Sequence, residues 1–330
     1  MCIILTEPTP FIRSNRRNIL FWGEDMLLSE LNNRISGDIS GFISECDAAY
    51  YDSVLKIAGD IRDHAAQRPI ILLSGPSGSG KTTTALMLEK ILDDWGYETH
   101  TLSMDNYFKP LTDEQQRLAD EDKFDLESPE RVDCPFLNGQ LAMMAEGKTV
   151  ELPRFDFKNH TRVPSGRTLA RKPNELVILE GIHALNPSVI TIPDDETTRI
   201  YVSVRTRIEL PDGRLLHPSK VRLMRRMLRD KIYRSRRITH TIKMFDSVQR
   251  GENMYIMPFK YRSNYDIDTF IPYEVGVYRD MLLSELDLLK KSEITDDIAD
   301  VLSQIEPVSD KRVPQSSLIR EFIGDGVFAY

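Results

Sequence analysis

Two kinds of apolar spacing alternate along the chain. From Leu27 to Ala66 apolar residues recur at helical intervals: Leu27, Leu28 and Leu31 begin one stripe, and Phe42, Ile43, Cys46, Tyr50, Val54, Leu55 and Ile61 form a longer one. At Pro69 the period changes. Ile70-Ile71-Leu72-Leu73 is an unbroken apolar run leading directly into glycines, the mark of a parallel strand buried on both faces. After Gly80, residues Leu88, Ile91, Leu92 and Trp95 fall on one helix face and Gly96 supplies a C-terminal stop, so strand, loop and helix follow in order. Further strand-like runs cover residues 99–103, 177–179, 200–204 and 267–271, too far apart for hairpins and therefore joined by crossovers. The pattern predicts an α/β fold class, a mostly parallel sheet with helices on both faces. Charged, Pro/Gly-punctuated text over residues 151–169 predicts a small hairpin excursion. Beyond Tyr273 a stripe of Val277, Met281, Leu282, Leu286 and Leu289 returns to helix. The expected organisation is a helical N-terminal appendage over residues 1–66, a core over 67–272 and a helical C-terminal extension over 273–330.

With 41% hydrophobic and 28% charged residues in 330, the chain can bury a core and has no signature of global disorder. Its net charge of −8 argues against a surface built throughout to hold nucleic acid. Cys2, Cys46 and Cys134 are odd in number, far apart and in no ligand spacing, which supports neither a disulfide framework nor a zinc site and fits a reducing cytosol. Cys2-Ile3-Ile4-Leu5 is too short for a signal-peptide core, and no run approaches the ~18 apolar residues that span a bilayer. The expectation is a cytoplasmic protein with no membrane partner.

Gly75-Pro-Ser-Gly-Ser-Gly80-Lys81-Thr82 fits GxxxxGK[ST], straight after an apolar strand and straight before an amphipathic helix, as that motif requires. Gly75, Ser77, Gly78, Ser79 and Gly80 let backbone N–H groups turn inward around phosphate oxygens, and the helix that opens with Lys81, Thr82 and Thr83 adds a favourable dipole. Lys81 would reach the outer phosphates of ATP, and Thr82 would offer its hydroxyl to Mg²⁺. Asp105, just past the strand over 99–103, and Glu180, after Leu176-Val-Ile-Leu179, both fall at the carboxyl ends of strands, where open α/β sheets place their ligands. Two such carboxylates are the expected complement to the loop, one orienting the attacking hydroxyl and one in the metal shell.

Arg222, Arg225, Arg226, Arg229, Arg234, Arg236 and Arg237 crowd one segment of this acidic chain, interleaved with Val221, Met224, Met227 and Leu228. Helical spacing puts the apolar residues on one face and most arginines on the other. A solvated face, an RNA-binding stripe and a phosphate-covering lid are all compatible with that spacing.

The phosphate loop, Ser103-Met-Asp-Asn-Tyr-Phe, Phe155-Asp-Phe-Lys-Asn-His-Thr-Arg162, Glu180-Gly-Ile-His and Arg225-Arg-Met-Leu-Arg-Asp230 occur in the order seen in the uridine kinase and phosphoribulokinase family of P-loop kinases, which the chain resembles over residues 67–324. Leu318-Ile-Arg-Glu-Phe-Ile-Gly looks like the tail of a bacterial uridine-kinase-like branch. The resemblance implies a P-loop NTPase fold and ATP-dependent phosphorylation of a nucleoside 5′-hydroxyl. By that analogy Asp105 takes or orients the hydroxyl proton, and Thr82, Glu180 and Asp105 hold Mg²⁺. Asp125, in Phe124-Asp-Leu-Glu-Ser-Pro129, matches the ribose-binding aspartate, while Phe155, Phe157 and His160 match the residues that hold the base. The arginine segment becomes a lid around residues 219–245 whose Arg226, Arg229, Arg234 and Arg236 close over substrate and ATP.

Three departures lie on the acceptor side. Met244 stands where uridine-cytidine kinases carry a base-reading glutamine, Phe155 stands where tyrosine is frequent, and Pro129 falls two residues later than in the usual Phe-Asp-His-Pro pattern. The expected partner is a small molecule, a nucleoside, with no nucleic acid; a homo-oligomer is compatible with the chain. The alternatives are a kinase for a sugar phosphate or pantothenate-like alcohol, and a nucleotide-dependent RNA-binding or regulatory protein.

Overall fold

A computed structural model of the protein describes residues 25–121, 123–156 and 159–328. At its centre five parallel strands lie in the order Tyr265–Asp268, Thr197–Ser203, Ile70–Ser74, Leu176–Glu180 and Thr99–Ser103. Ile70–Ser74 is the middle strand and every residue of it is buried, which is why its sequence is continuously apolar. The pleat still sorts it: Ile71, Leu73 and Ile178 enter one apolar cluster, and Ile70, Leu72, Val177 and Leu179 the other. The chain leaves the middle strand toward one edge, Thr99–Ser103, and later builds outward on the other side through Thr197–Ser203. The carboxyl end of Ile70–Ser74 therefore lies at a switch point of the sheet, where such folds open a crevice.

Of the predicted strands, 267–271 is observed earlier, as Tyr265–Asp268. The Asp268 carboxylate accepts the N–H groups of Arg205, Thr206 and Phe270, which turns the chain out of the sheet and carries Phe270 and Ile271 into the core. The hairpin pairs Val150–Asp156 with Thr161–Leu169. It docks beside the sheet through the Phe155 N–H, which donates to Asn106 Oδ1 at 3.0 Å.

Within the segment expected as an N-terminal appendage, helices Leu28–Ser36 and Ile39–Asp63 are present, the latter capped by the Asp38 carboxylate accepting the Gly41 N–H. Their buried residues, with those of Glu274–Leu282 and Asp296–Gln304 near the other end, join the same apolar cluster as the central strands. Among the described residues no helix is long and apolar enough to cross a membrane.

The arginine helix, Pro218–Tyr233, differs from its amphipathic reading. Arg222, Arg225 and Arg226 are 7%, 0% and 5% exposed rather than solvated. For the first two the reason is pairing: Glu252 accepts both hydrogen bonds of one Arg222 guanidinium nitrogen, and Glu274 takes Arg225 at 2.7 and 2.9 Å. A buried charge survives when it is matched in this way.

Candidate active site

The phosphate loop connects the middle strand to helix Lys81–Asp94. Gly75 is obligatory for closeness alone, since a Cβ there would sit 1.9 Å from the Val202 carbonyl oxygen of the neighbouring strand. The loop's carbonyls are held outward: Arg222 donates to Ser77 O, Arg225 to Gly78 O and the Thr269 hydroxyl to Ser79 O. Pinning these oxygens leaves the concave side to N–H donors, the arrangement that receives phosphate. Lys81 Nζ reaches back to Pro76 O at 3.1 Å. The Ser79 hydroxyl, and Nε and Nη1 of Arg226, are buried without a hydrogen-bond partner among the described residues. Such orphaned donors beside a glycine loop fit a polyphosphate chain.

Adjacent strands bring the carboxylates to this loop. Glu180 ends Leu176–Glu180 next to the middle strand, its register partner Ser103 ends the edge strand, and Asp105 sits in the 3-10 turn Met104–Tyr107 that follows. Burial pushes the Glu180 carboxyl up to about 7 although Lys81 pulls it down. Asp105 is likewise raised by burial, against Lys81, Arg234, Arg131 and Arg229. Burial lowers Lys81, while Glu180, Glu321 and Asp105 act to keep it charged. Glu180, on which Lys81 and Asp105 act, and the Thr82 hydroxyl at the start of the helix offer oxygen ligands, the kind Mg²⁺ takes. When bound there, the cation would neutralise charge on the outer phosphates.

Near Asp105 and Lys81 the structure brings in a carboxylate that the sequence reading passed over. Asp125 is exposed at the rim, where Tyr255 donates to it at 3.1 Å. Glu127 lies deeper: burial raises its carboxyl, and Arg226, Asp105 and Lys81 are its charged neighbours. Gly251 permits this approach, because a Cβ there would come 2.4 Å from Glu127 Cβ. The signal was Pro129. Counting the acidic residue back from the displaced proline rather than forward from Phe124 selects Glu127. His183 is buried beside it, with Nε2 donating to the Glu127 carbonyl at 2.9 Å, and burial holds its imidazole down at about 4, hence neutral.

Arg131, 6% exposed, stacks over Phe108 and Phe155, and those two rings meet edge-on at 5.7 Å. Phe155 is thereby packed into the second apolar cluster, 4% exposed. His160 is half-buried at the hairpin turn with a φ of 46°, and Phe157 lies outside the described residues.

Beyond the arginine helix, Asp230 is fully buried and gathers Arg229, Arg234 and Arg236 at 3.2, 3.3 and 3.4 Å. Burial acts to raise its carboxyl, yet Arg229, Arg234, Arg226 and Arg236 hold it below the ordinary value. One carboxylate cannot neutralise three guanidiniums. The excess continues into a cavity of about 490 Å³ lined by Arg234, Arg236, Arg237, His240 and Lys243, with Ser235 and Thr239. Met244 is half-buried with its sulfur 3.7 Å from Arg236.

A phosphate loop, a lysine inside a ring of carboxylates and an arginine-rich flank on an all-parallel sheet define a P-loop kinase. The chain belongs to the Phosphoribulokinase / Uridine kinase family, whose model matches residues 70–271, and is thus a phosphotransferase that uses ATP on a small molecule. It is 33% identical over 199 residues to a uridine kinase of Lactobacillus johnsonii, covering 59% of this chain and 84% of that one. It is 33% identical over 176 residues to a uridine kinase of Schizosaccharomyces pombe, where the match spans 53% of this chain and only 34% of the relative's length. Among solved structures it is similar to that of a possible uridine kinase from Bacillus stearothermophilus, with 17% identity, a TM-score of 0.42 and coverage of 66% and 98%.

Proposed function

We propose that the protein transfers the γ-phosphoryl group of ATP, with Mg²⁺, to the 5′-hydroxyl of a nucleoside in the cytoplasm. The observation that carries this reading is Asp105: a carboxylate in the turn that follows the edge strand, raised by burial and within electrostatic reach of the phosphate-loop lysine and of Arg131, Arg229 and Arg234. In the reaction the acceptor oxygen forms a bond to γ-phosphorus, the bond to the β,γ-bridging oxygen breaks, and Asp105 receives the hydroxyl proton. Lys81 and Arg226 neutralise charge on the transferring oxygens. Glu127 accepts from the ribose hydroxyls, and Phe155 and Arg131 form the wall along which a flat base lies. The core over residues 67–272 carries the chemistry; within the lid expected over 219–245 the arginine helix is a buried, fixed part of the core, and Arg229, Arg234 and Arg236, at its end and in the segment after it, cover the transferring group and exclude water. Names of relatives in the family, uridine kinases among them, favour a nucleoside.

A second reading is favoured by one observation, the cationic cavity beside Asp230: an acceptor that carries its own phosphate or carboxylate would find counter-charge there. Incubation of purified protein with MgATP and a panel of nucleosides, pentose phosphates and pantothenate, with product detection by mass, tests both. Phosphorylated uridine or cytidine is the expected product. Turnover restricted to anionic alcohols would replace the first reading with the second.

A further inference from the structure

The C-terminal tail reaches the phosphate loop from behind the arginine helix. Leu318, Ile319 and Phe322 are buried, and the Arg320 guanidinium is bound by the carbonyls of Asp310, Pro314 and Gly324. The Phe322 ring lies 4.9 Å under the Arg225 guanidinium, and Leu318 is so close to Gly80 that a Cβ there would be 2.9 Å from its Cδ1. This packing directs Glu321 into the first turn of the phosphate-loop helix. Its Oε2 accepts the Thr83 N–H at 3.1 Å and the Thr83 hydroxyl at 2.6 Å.

The location matters because the first four N–H groups of a helix have no partner within it, and a phosphate loop presents these donors to an anion. Here one of them is held by a carboxylate that belongs to the chain. Its negative charge acts on Lys81 and on Glu180, the groups already assigned to the phosphates and their cation. A structural cap at this position could be a neutral oxygen; a full negative charge opposes a triphosphate entering the same turn.

We propose that Glu321 is an in-chain competitor of the nucleotide: its carboxylate occupies the Thr83 amide, and nucleotide binding requires it to release that amide. The C-terminal tail thereby sets the affinity for ATP. This rests on the phosphate loop binding nucleotide and is independent of the acceptor. Calorimetric titration of the full-length protein with MgADP tests it without turnover. E321Q retains the size, the packing and an acceptor oxygen but removes the charge, and should bind roughly tenfold tighter than wild type, the scale of one charge-assisted hydrogen bond. E321A should tighten binding as well while lowering the melting temperature of the nucleotide-free protein, because the first turn loses its cap. Unchanged or weaker MgADP affinity in E321Q would overturn the proposal and leave Glu321 a structural cap. Tighter binding in E321Q together with no phosphorylated nucleoside would sustain it while sinking the nucleoside reading.

Discussion

The phosphate loop is made from consecutive residues, Gly75 to Thr82, between one strand and one helix. The acceptor side proposed above collects Asp105, Glu127, Arg131, Phe155 and His183 from a strand-end turn, two loops, a 3-10 turn and a hairpin. The first arrangement is fixed mainly by local geometry: buried strand, tight turn, helix N-terminus. The second exists only after the sheet has brought its strand ends together and the hairpin has docked through Asn106. A local site tolerates change elsewhere in the chain, whereas a site assembled from distant segments can change its ligand without disturbing its partner across the cleft. The departures at Phe155 and Pro129 fall on the assembled side, while Met244 lies beside Arg236 in the arginine segment.

The largest expected effect lies at Asp105, where the two sides meet. Asp105→Asn should lower kcat by roughly 10²- to 10⁴-fold, the usual consequence of removing a general base. Nucleotide affinity, measured by titration, should stay within a few-fold of wild type. An unchanged kcat with loss of nucleotide binding would move Asp105 to the phosphate side. Next, Lys81→Ala should cost about 10²- to 10³-fold in kcat/KM, because it removes electrostatic stabilisation where charge develops. The fold should persist, since the Lys81 ammonium faces the cleft rather than an apolar core. A variant that lost its secondary structure by circular dichroism would show that the ammonium is needed to balance Glu180, Asp105 and Glu321.

Legibility follows the same division. The strand, loop and helix around Gly75 could be read directly because residue spacing carries their order and turn, although the hold of Arg222, Arg225 and Thr269 on the loop's carbonyls is distant in sequence. Asp105 and Glu180 could be placed because parallel strands deliver their carboxyl ends to one edge. The arginine segment misled in part: spacing distinguishes faces of a helix, but Glu252 and Glu274, which bury Arg222 and Arg225, are distant in sequence. Glu321 was hidden for the same reason, since nothing local shows that a residue near the C-terminus meets Thr83.

Glu127 and Asp125 offer a finer test of the assembled side. If Glu127 binds acceptor hydroxyls, Glu127→Gln should raise the acceptor KM by roughly tenfold or more, the scale of a hydrogen bond to a charged group. Asp125→Asn, at the exposed rim, should change it by about threefold or less. Both KM values are to be measured at saturating MgATP, where the phosphate side should be indifferent to either change. The opposite ranking would restore Asp125 as the ribose ligand.

The smallest effect on turnover concerns the support behind the phosphate loop, the part of that side which is not local. Asp47, on helix Ile39–Asp63, accepts the Tyr273 hydroxyl at 2.9 Å and the Ser317 hydroxyl at 2.9 Å, joining the N-terminal helix to the tail that carries Glu321. On the same helix, the Tyr50 hydroxyl lies 2.7 Å from Thr84 Oγ1. Burial pushes the Asp47 carboxyl from its ordinary 3.8 up to about 6, against the hydrogen bonds from Tyr273 and Ser317. With its value raised in the folded state, protonation favours the native protein. That stabilising contribution is fully present below pH 3.8, declines as pH rises toward about 6 and is absent above it, where a buried carboxylate must be held ionised. Asp47→Asn keeps an acceptor oxygen and has no charge to desolvate. Its melting temperature should match wild type near pH 4 and exceed it at pH 8, by a margin corresponding to at most about 3 kcal/mol. Acceptor KM should not move. A pH-independent difference would mean that Asp47 acts through packing alone, and a shift in acceptor KM would mean that the two sides of the cleft share a support.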